Sequence, residues 1–325
     1  MATSTDAPRP TANAPLDDLL ELVQSLRREL GRRDELVTGD WVEATAQELR
    51  EGQKKGWYYP PASGGGLAFY SFRQREAFGH VHVEPGSAAA ERATWLTDTM
   101  LDALPPTVDS IDLGFTGLST EDERALTARL AARPGSRVIE RWRMERDLGP
   151  EDDQWPSTPP LGLSLVPVRD VTVDALAELD RRAFVGTVDE LLIGPSPSDY
   201  RRVLEALLNG GLGRFVDEAS AALIVPEPPR LVGALLTGEQ SPRRAIYLDF
   251  MVDPADRGRG YGRFLFRWGL RALRALGYSS VRLWVTSSNR TALRLYEENG
   301  LRVAAVATIY RWDRPGSSPQ PQFAR

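Results

Sequence analysis

Gly258, Gly260 and Gly262 alternate with Arg257, Arg259, Tyr261 and Arg263 in the stretch VDPADRGRGYGRFLF, between an apolar run and a basic helical pattern. The unpaired N–H groups and the dipole of a helix N-terminus attract anions. Glycines there let the backbone approach a diphosphate without Cβ clashes. A Walker-type loop would end in Gly-Lys-Ser/Thr, which is missing here. A dinucleotide fingerprint would need a third glycine where Arg263 stands and an acidic residue ending the next strand, which instead reads VTSSN. An ordinary glycine-rich strand-to-helix turn stays open.

Other residues carry chemistry as well. Asp249 is the one carboxylate inside the apolar run AIYLDFMV, a setting that raises a carboxyl pKa. It reads as a base or an amine anchor, or else as a strand-edge residue bonded to a neighbouring loop. Asn289 can cap a helix, and Tyr296, seven residues on, lies on the same face about two turns later. Ala292 and Leu293 share that face, so a plain core aromatic is the other reading of Tyr296. Arg263, Arg267, Arg271 and Arg274 repeat at helical spacing; a solvated face is the expectation for the row, with Arg263 a candidate for phosphate contact. His80, His82 and Glu84 alternate along one strand face, but with no cysteine and no fourth ligand in view no metal is expected.

These residues need a framework. The 325-residue chain is long enough for two compact domains. Its 42% hydrophobic and 26% charged content is that of a soluble globular protein. A formal charge of −5 argues against nucleic acid or an anionic membrane as the main partner. The absence of cysteine excludes disulfides, thiolate metal sites and a thiol nucleophile. With no 18-residue apolar run and no leader-like segment, a cytoplasmic location is expected.

Residues 1–15 are rich in Ser, Thr, Ala and Pro and read as disordered. A helical segment over 16–55 follows, in which Leu16, Leu19, Val23, Leu26 and Leu30 form a narrow apolar stripe. The stripe packs on its own domain or, alternatively, joins a homodimer. A second helix is expected from Asp40 to about Gln53, with Asp40 and Glu43 at capping-box spacing. Strand and helix patterns then alternate over 56–148. An acidic, Pro-rich linker covers 149–161, a second alternating series runs over 162–314, and 315–325 reads as a disordered tail. The two series share their order of elements, which suggests two copies of one α/β unit. Only the second copy has the glycine loop; PGSAAAE stands in its place in the first.

Arg257-x-x-Gly260-x-Gly262 after DFMVDP, with SSNRTALRLYEENGL downstream, resembles the GNAT superfamily of N-acetyltransferases. The resemblance covers roughly Leu163 to Arg314, and its specific part is Ile246 to Leu301. It implies an α/β fold of two tandem mixed-sheet domains, the first degenerate, in an arrangement similar to that of mycothiol synthase. It further implies acetyl-CoA or another acyl-CoA as cosubstrate, its pyrophosphate held by backbone amides of Arg257, Gly258, Arg259, Gly260, Tyr261 and Gly262. The pantetheine arm is then expected between the strands Tyr247–Val252 and Val281–Val285.

In the same resemblance Tyr296 is the general acid toward the sulfur, Asn289 contacts the cofactor, and a backbone N–H at the bulged end of the strand, at Val252 or Met251, holds the oxyanion. A phenol near pKa 10 protonating a thiolate near 8.5 is slightly uphill, so positioning must contribute. Some relatives carry a Glu in the next strand; RLWVTSSN offers none, and Trp284 there shapes the pocket or core.

The expected reaction is direct transfer of acetyl to a primary amine of a small molecule, with Asp249 as base. The acceptor is not named by the sequence; Asp189, Glu190, Asp199 and Asp217 lie where it would bind. Two alternatives are an acyltransferase using a carrier protein or larger acyl-CoA, and a non-catalytic acyl-CoA sensor or scaffold.

Overall fold

The alternating pattern forms throughout, and the computed structural model describes residues 7–32, 40–73, 75–194 and 196–316. In chain order the first elements are β1 (Arg9–Pro10), α1 (Leu16–Arg32), α2 (Trp41–Arg50), β2 (Lys55–Tyr59), β3 (Gly66–Arg73), β4 (Glu76–Val83), α3 (Ala89–Asp102), β5 (Ser110–Thr116), α4 (Thr120–Ala131) and β6 (Ser136–Asp147). There follow β7 (Ser164–Pro167), α5 (Val173–Phe184), α6 (Glu190–Ile193), α7 (Pro197–Leu208), β8 (Arg214–Phe215), β9 (Ala221–Val225), β10 (Arg230–Ser241) and β11 (Arg244–Val252). The last are α8 (Tyr261–Ala275), β12 (Ser280–Thr286), α9 (Arg290–Glu298) and β13 (Arg302–Asp313). Two compact units result, one of Met1–Ile139 with Thr308–Pro319, the other built on Glu140–Ala307. The division falls inside β6 and inside β13.

In the first unit β4 and β5 run parallel, from Glu76 opposite Ser110 to His82 opposite Thr116. Tyr310–Asp313 of β13 add antiparallel to β5. Helices α3 and α4 bury Leu96, Met100, Leu126 and Leu130 against Val81, Phe115 and Tyr310. The stripe of α1 is buried within this unit, where Leu19, Leu22 and Val23 pack with Val42, Ala46 and Leu49 of α2 and with Tyr58 and Leu67.

Helix α2 differs from expectation: it ends at Arg50, and Asp40 makes no side-chain cap bond. Its backbone (φ −89°, ψ 0°) lies outside the extended region that a capping residue adopts. Arg9–Pro10, within the Pro-rich stretch, pair with Tyr58 and Trp57. Proline suits such a short edge strand. The hydroxyl of buried Thr11 anchors it by donating to the carbonyls of Leu49 and Gly56.

In the second unit Arg141–Asp147 of β6 pair antiparallel with β12. Beyond β12 lie β11, β10, β9 and β7, with β8 on β10; only β11 and β12 among these are parallel. Helix α8 covers one face through Phe266, Leu270 and Leu273. Gly269 permits its close approach, since a Cβ there would lie 2.4 Å from Leu235 Cδ2 and 2.7 Å from the Tyr247 hydroxyl. That hydroxyl donates to the Phe266 carbonyl.

The arginine row of α8 is not simply solvated. Arg267 lies 4.2 Å over the Trp155 ring and donates to Asn299, and Arg271 donates to the Trp155 carbonyl. The reason is the acidic, Pro-rich segment, whose residues Pro150–Gln154 coil into a 3-10 turn against α8. Asp152, fully buried, ties that turn down by accepting from Arg146, Gly149 N–H and the Trp155 indole.

Candidate active site

The turn from β11 into α8 is braced by buried carboxylates. Asp253 accepts from Ala255 N–H and from Arg182, and Asp256 from Arg230. The Arg230 guanidinium holds the Asp256 carboxyl below its usual range. Arg257 points away from the loop as a strut, donating to the Ala183 carbonyl at 2.8 Å. Gly258 and Gly260 have φ of +79° and +83°, the left-handed region that glycine alone enters freely, and open space surrounds the place of a Cβ on each. Gly262 answers to closeness instead: a Cβ there would lie 3.3 Å from Val252 and 3.4 Å from the Phe250 ring.

Within the loop Arg257 N–H donates to the Pro254 carbonyl, and Phe264 N–H is the first to close α8, onto Gly260. The N–H groups from Gly258 to Arg263 have no acceptor among the described residues, as an anion site at a helix N-terminus requires. Arg259 is exposed and 3.6 Å from Asp256, and Arg263 pairs with Glu298 at 2.6 Å. A diphosphate therefore fits the backbone of this loop, with the Arg257 side chain serving the scaffold.

Strands β11 and β12 pair from Arg244 opposite Ser280 to Tyr247 opposite Leu283, and their ladder stops there. Beyond that point β11 continues through Asp249, Met251 and Val252, paired only to β10. The bulge falls at Leu248, between the pairs Leu236–Asp249 and Thr237–Tyr247, and not at the strand end where Met251 and Val252 stand. It resets the side-chain alternation just before Asp249.

Asp249 keeps part of its surface open. Burial raises its carboxyl to about 7; Asp189 adds to the rise, while the Phe250 N–H and Arg141 oppose it. Tyr296 is 6% exposed and packs 5.3 Å from the Phe266 ring, so it is part of the core. Its phenol is pushed well above the ordinary range by burial, with Asp189 and Asp249 adding and Arg141 opposing. Asn289 accepts from Ala292 N–H at 3.1 Å and so caps α9.

Three polar side chains at this site were not singled out by the sequence. Arg141 lies on β6 opposite Thr286, with its Nε buried and without a partner among the described residues. Burial lowers its pKa against the pull of Asp189, Tyr296 and Asp249. Asp180 of α5 is fully buried, and neither carboxylate oxygen has a donor among the described residues. The hydroxyl of Tyr200 on α7 is likewise buried and without a partner among the described residues. No motif marks any of them, because each becomes informative only through its missing partner.

The four acidic residues flagged by position each accept a hydrogen bond within the fold. Asp189 accepts from Thr286, Glu190 from Gly186 N–H, Asp199 from Ser196 and Arg202, and Asp217 from Arg169. In the first unit His82 bonds to Thr116 and Ser25, and His80 to Thr116. Among the described residues no group of three or more His, Asp or Glu side chains is arranged to hold a metal ion, and no helix is long and apolar enough to cross a membrane.

Residues 175–301 match the family described as Acetyltransferase (GNAT) family. Mycothiol acetyltransferase of Actinosynnema mirum is 31% identical over 223 residues, covering 67% of this chain and 69% of that protein. Mycothiol acetyltransferase of Streptosporangium roseum is 48% identical over 60 residues, 18% of each chain. A GCN5-related N-acetyltransferase structure from Sphaerobacter thermophilus superposes with a TM-score of 0.61 at 20% identity, over 98% of this chain and 99% of that one. A tandem GNAT protein from the clavulanic acid biosynthesis pathway superposes with a TM-score of 0.56 at 14% identity, over 96% and 99%. These structures show the fold; the 31% identical relative, matched over two thirds of both chains, shows that this chain belongs to the GNAT family of acetyltransferases.

Proposed function

We propose that the chain transfers acetyl from acetyl-CoA to the primary amine of a small molecule, by direct attack within a ternary complex. The observation that carries this reading is the open row of N–H groups from Gly258 to Arg263, next to strands that part at Tyr247 and Leu283. Relatives named for mycothiol support a small-molecule acceptor. When bound, acetyl-CoA supplies the thioester; the remaining chemistry belongs to the chain.

In this reading the amides of Gly258 to Gly262 hold the pyrophosphate, the Arg257 amide being spent on the Pro254 carbonyl, and Arg263 adds charge at the rim. Asp249 accepts the proton that the attacking ammonium sheds; a carboxyl at about 7 is matched to that task near neutral pH. Tyr296 donates to the departing sulfur. Its raised pKa favours the protonated form, so its orientation by Phe266 and Phe250 must favour the transfer. Asn289 fixes the start of α9 and contacts the cofactor. A backbone N–H of Met251 or Val252 faces the thioester oxygen. The homodimer suggested by the apolar stripe has no support in packing, because α1 buries that stripe in its own unit.

The test is a thermal-unfolding titration with acetyl-CoA, compared with the Gly260→Glu variant. Saturation at a hundred times the dissociation constant stabilises the fold by about 2.7 kcal/mol. A shift present in the wild type and lost in the variant is expected; an equal shift in both would place the cofactor elsewhere. Acceptors are then screened by thiol release, which has no background in a Cys-free chain.

A further inference from the structure

Asp180 has no part in the reaction as described, yet it is a fully buried carboxyl with no hydrogen-bond partner among the described residues. Its helix packs against α7, β10 and β11. The core that α5 shares with α7, β10 and β11 is apolar, with Leu176, Leu179, Leu204, Ala234 and Leu236 among its members. A leucine would suit such a place, whereas a buried carboxyl without a donor is among the least favourable arrangements a fold can keep. The titratable groups that face it are Asp249 of β11 and Tyr200 of α7, and the Tyr200 hydroxyl is also unpartnered. Beyond Asp249 stand Asp189, Tyr296 and Arg141, whose charges act on Asp249 and on one another.

We infer that Asp180, with the Tyr200 hydroxyl, forms a cation-receiving subsite beside Asp249, so that the acceptor enters as an alkylammonium held between the two carboxylates. This rests on the reading of Asp249 as proton acceptor. Asp180 is then a positioning residue. It holds the ammonium through one N–H, while Asp249 removes another proton: an N–H bond breaks, an O–H bond forms, and the lone pair is freed for attack. Burial and the charge of Asp249 raise the Asp180 carboxyl to about 9, so it is protonated when the site is empty. Arrival of a cation at neutral pH therefore releases a proton to solvent.

The experiment uses propan-1-ammonium as probe, with propan-1-ol at equal concentration as the uncharged control. Thermal unfolding of the acetyl-CoA-saturated full chain is followed for the wild type and for Asp180→Asn. The ammonium is expected to stabilise the wild type more than the alcohol does, and Asp180→Asn to abolish that difference. Above about pH 7, where Asp249 is ionised, probe affinity in the wild type rises further by up to about tenfold per pH unit to about pH 9, as the released proton requires; a purely structural Asp180 predicts no such further rise. No ammonium-specific shift in the wild type, or an equal one in Asp180→Asn, overturns the inference. If Asp180→Asn does not fold, Tyr200→Phe substitutes: a weakened shift supports the subsite and an unchanged shift overturns it. An ammonium shift without any acetyl-CoA shift would remove the proposed acetyl transfer and leave the subsite standing.

Discussion

Asp249 and Tyr296 make opposite demands on pH. The burial-raised carboxyl of Asp249 must be ionised to accept a proton, so kcat at saturating acceptor is expected to climb through about pH 7 and then level off. Asp249→Asn removes that rising limb along with most of the activity, and a pH–rate profile of the two proteins checks it. Tyr296→Phe keeps the aromatic packing and deletes the proton donor, so a fall in kcat of roughly a hundred-fold or more is expected, with little change in thermal stability. Asp249 and Asp180 also link stability to pH. Both carboxyls are raised, to about 7 and about 9, above an unfolded value of about 4. Their stabilising contribution is fully present below about pH 4 and is lost as pH rises through about 7 and then about 9. Asp180→Asn escapes the second loss, so its urea midpoint relative to wild type is expected to rise between about pH 4 and pH 9 and to level off above that. A pH-independent difference would contradict this.

At the scale of elements, the loop and α8 are held by different kinds of contact. Gly260 and Gly258 are required by their left-handed backbone, whereas Gly269 is required by the distance between α8 and the sheet. Gly269→Ala would drive a methyl into Leu235 and the Tyr247 hydroxyl, and overpacking of this kind costs about 1–3 kcal/mol. Denaturant unfolding measures it. Because Tyr247 is the last residue of β11 paired to β12, the same change is expected to weaken acetyl-CoA binding as well. The 3-10 turn at Pro150–Gln154 shows how a stretch of turn-forming residues becomes part of a core once Arg146 of β6 offers its acids a partner and α8 packs on Trp155.

At the scale of the molecule, each unit takes in a strand segment from the far side of the linker: β13 ends in the first unit, and β6 ends in the second. Arg141 reaches the second unit's site by this route. Tyr310, late in the chain, is fully buried in the first unit's core, and its hydroxyl bonds to Ser136. Tyr310→Ala is expected to destabilise the first unit by about 3–5 kcal/mol while leaving acetyl-CoA affinity within a factor of two or so. An equal loss of both would show that the second unit depends on this residue too.

The residues from Ile246 to Leu301 were legible in the sequence because their chemistry is local. A positive-φ glycine, a capping Asn289 and a Tyr296 two turns later act through neighbours a few positions away. The alternation of strands and helices was legible because burial imposes periods of two and about 3.6 residues. Tertiary structure alone decided that Arg257 braces α5, that Asp256 needs Arg230, and that Asp189 and Asp199 are already satisfied. It alone brought Arg141 and Asp180 toward Asp249, and Tyr200 toward Asp180. The physical reason is the same in each case. Whether a polar group is paired or left waiting for a ligand depends on what lies across the fold, and sequence spacing carries no record of that distance.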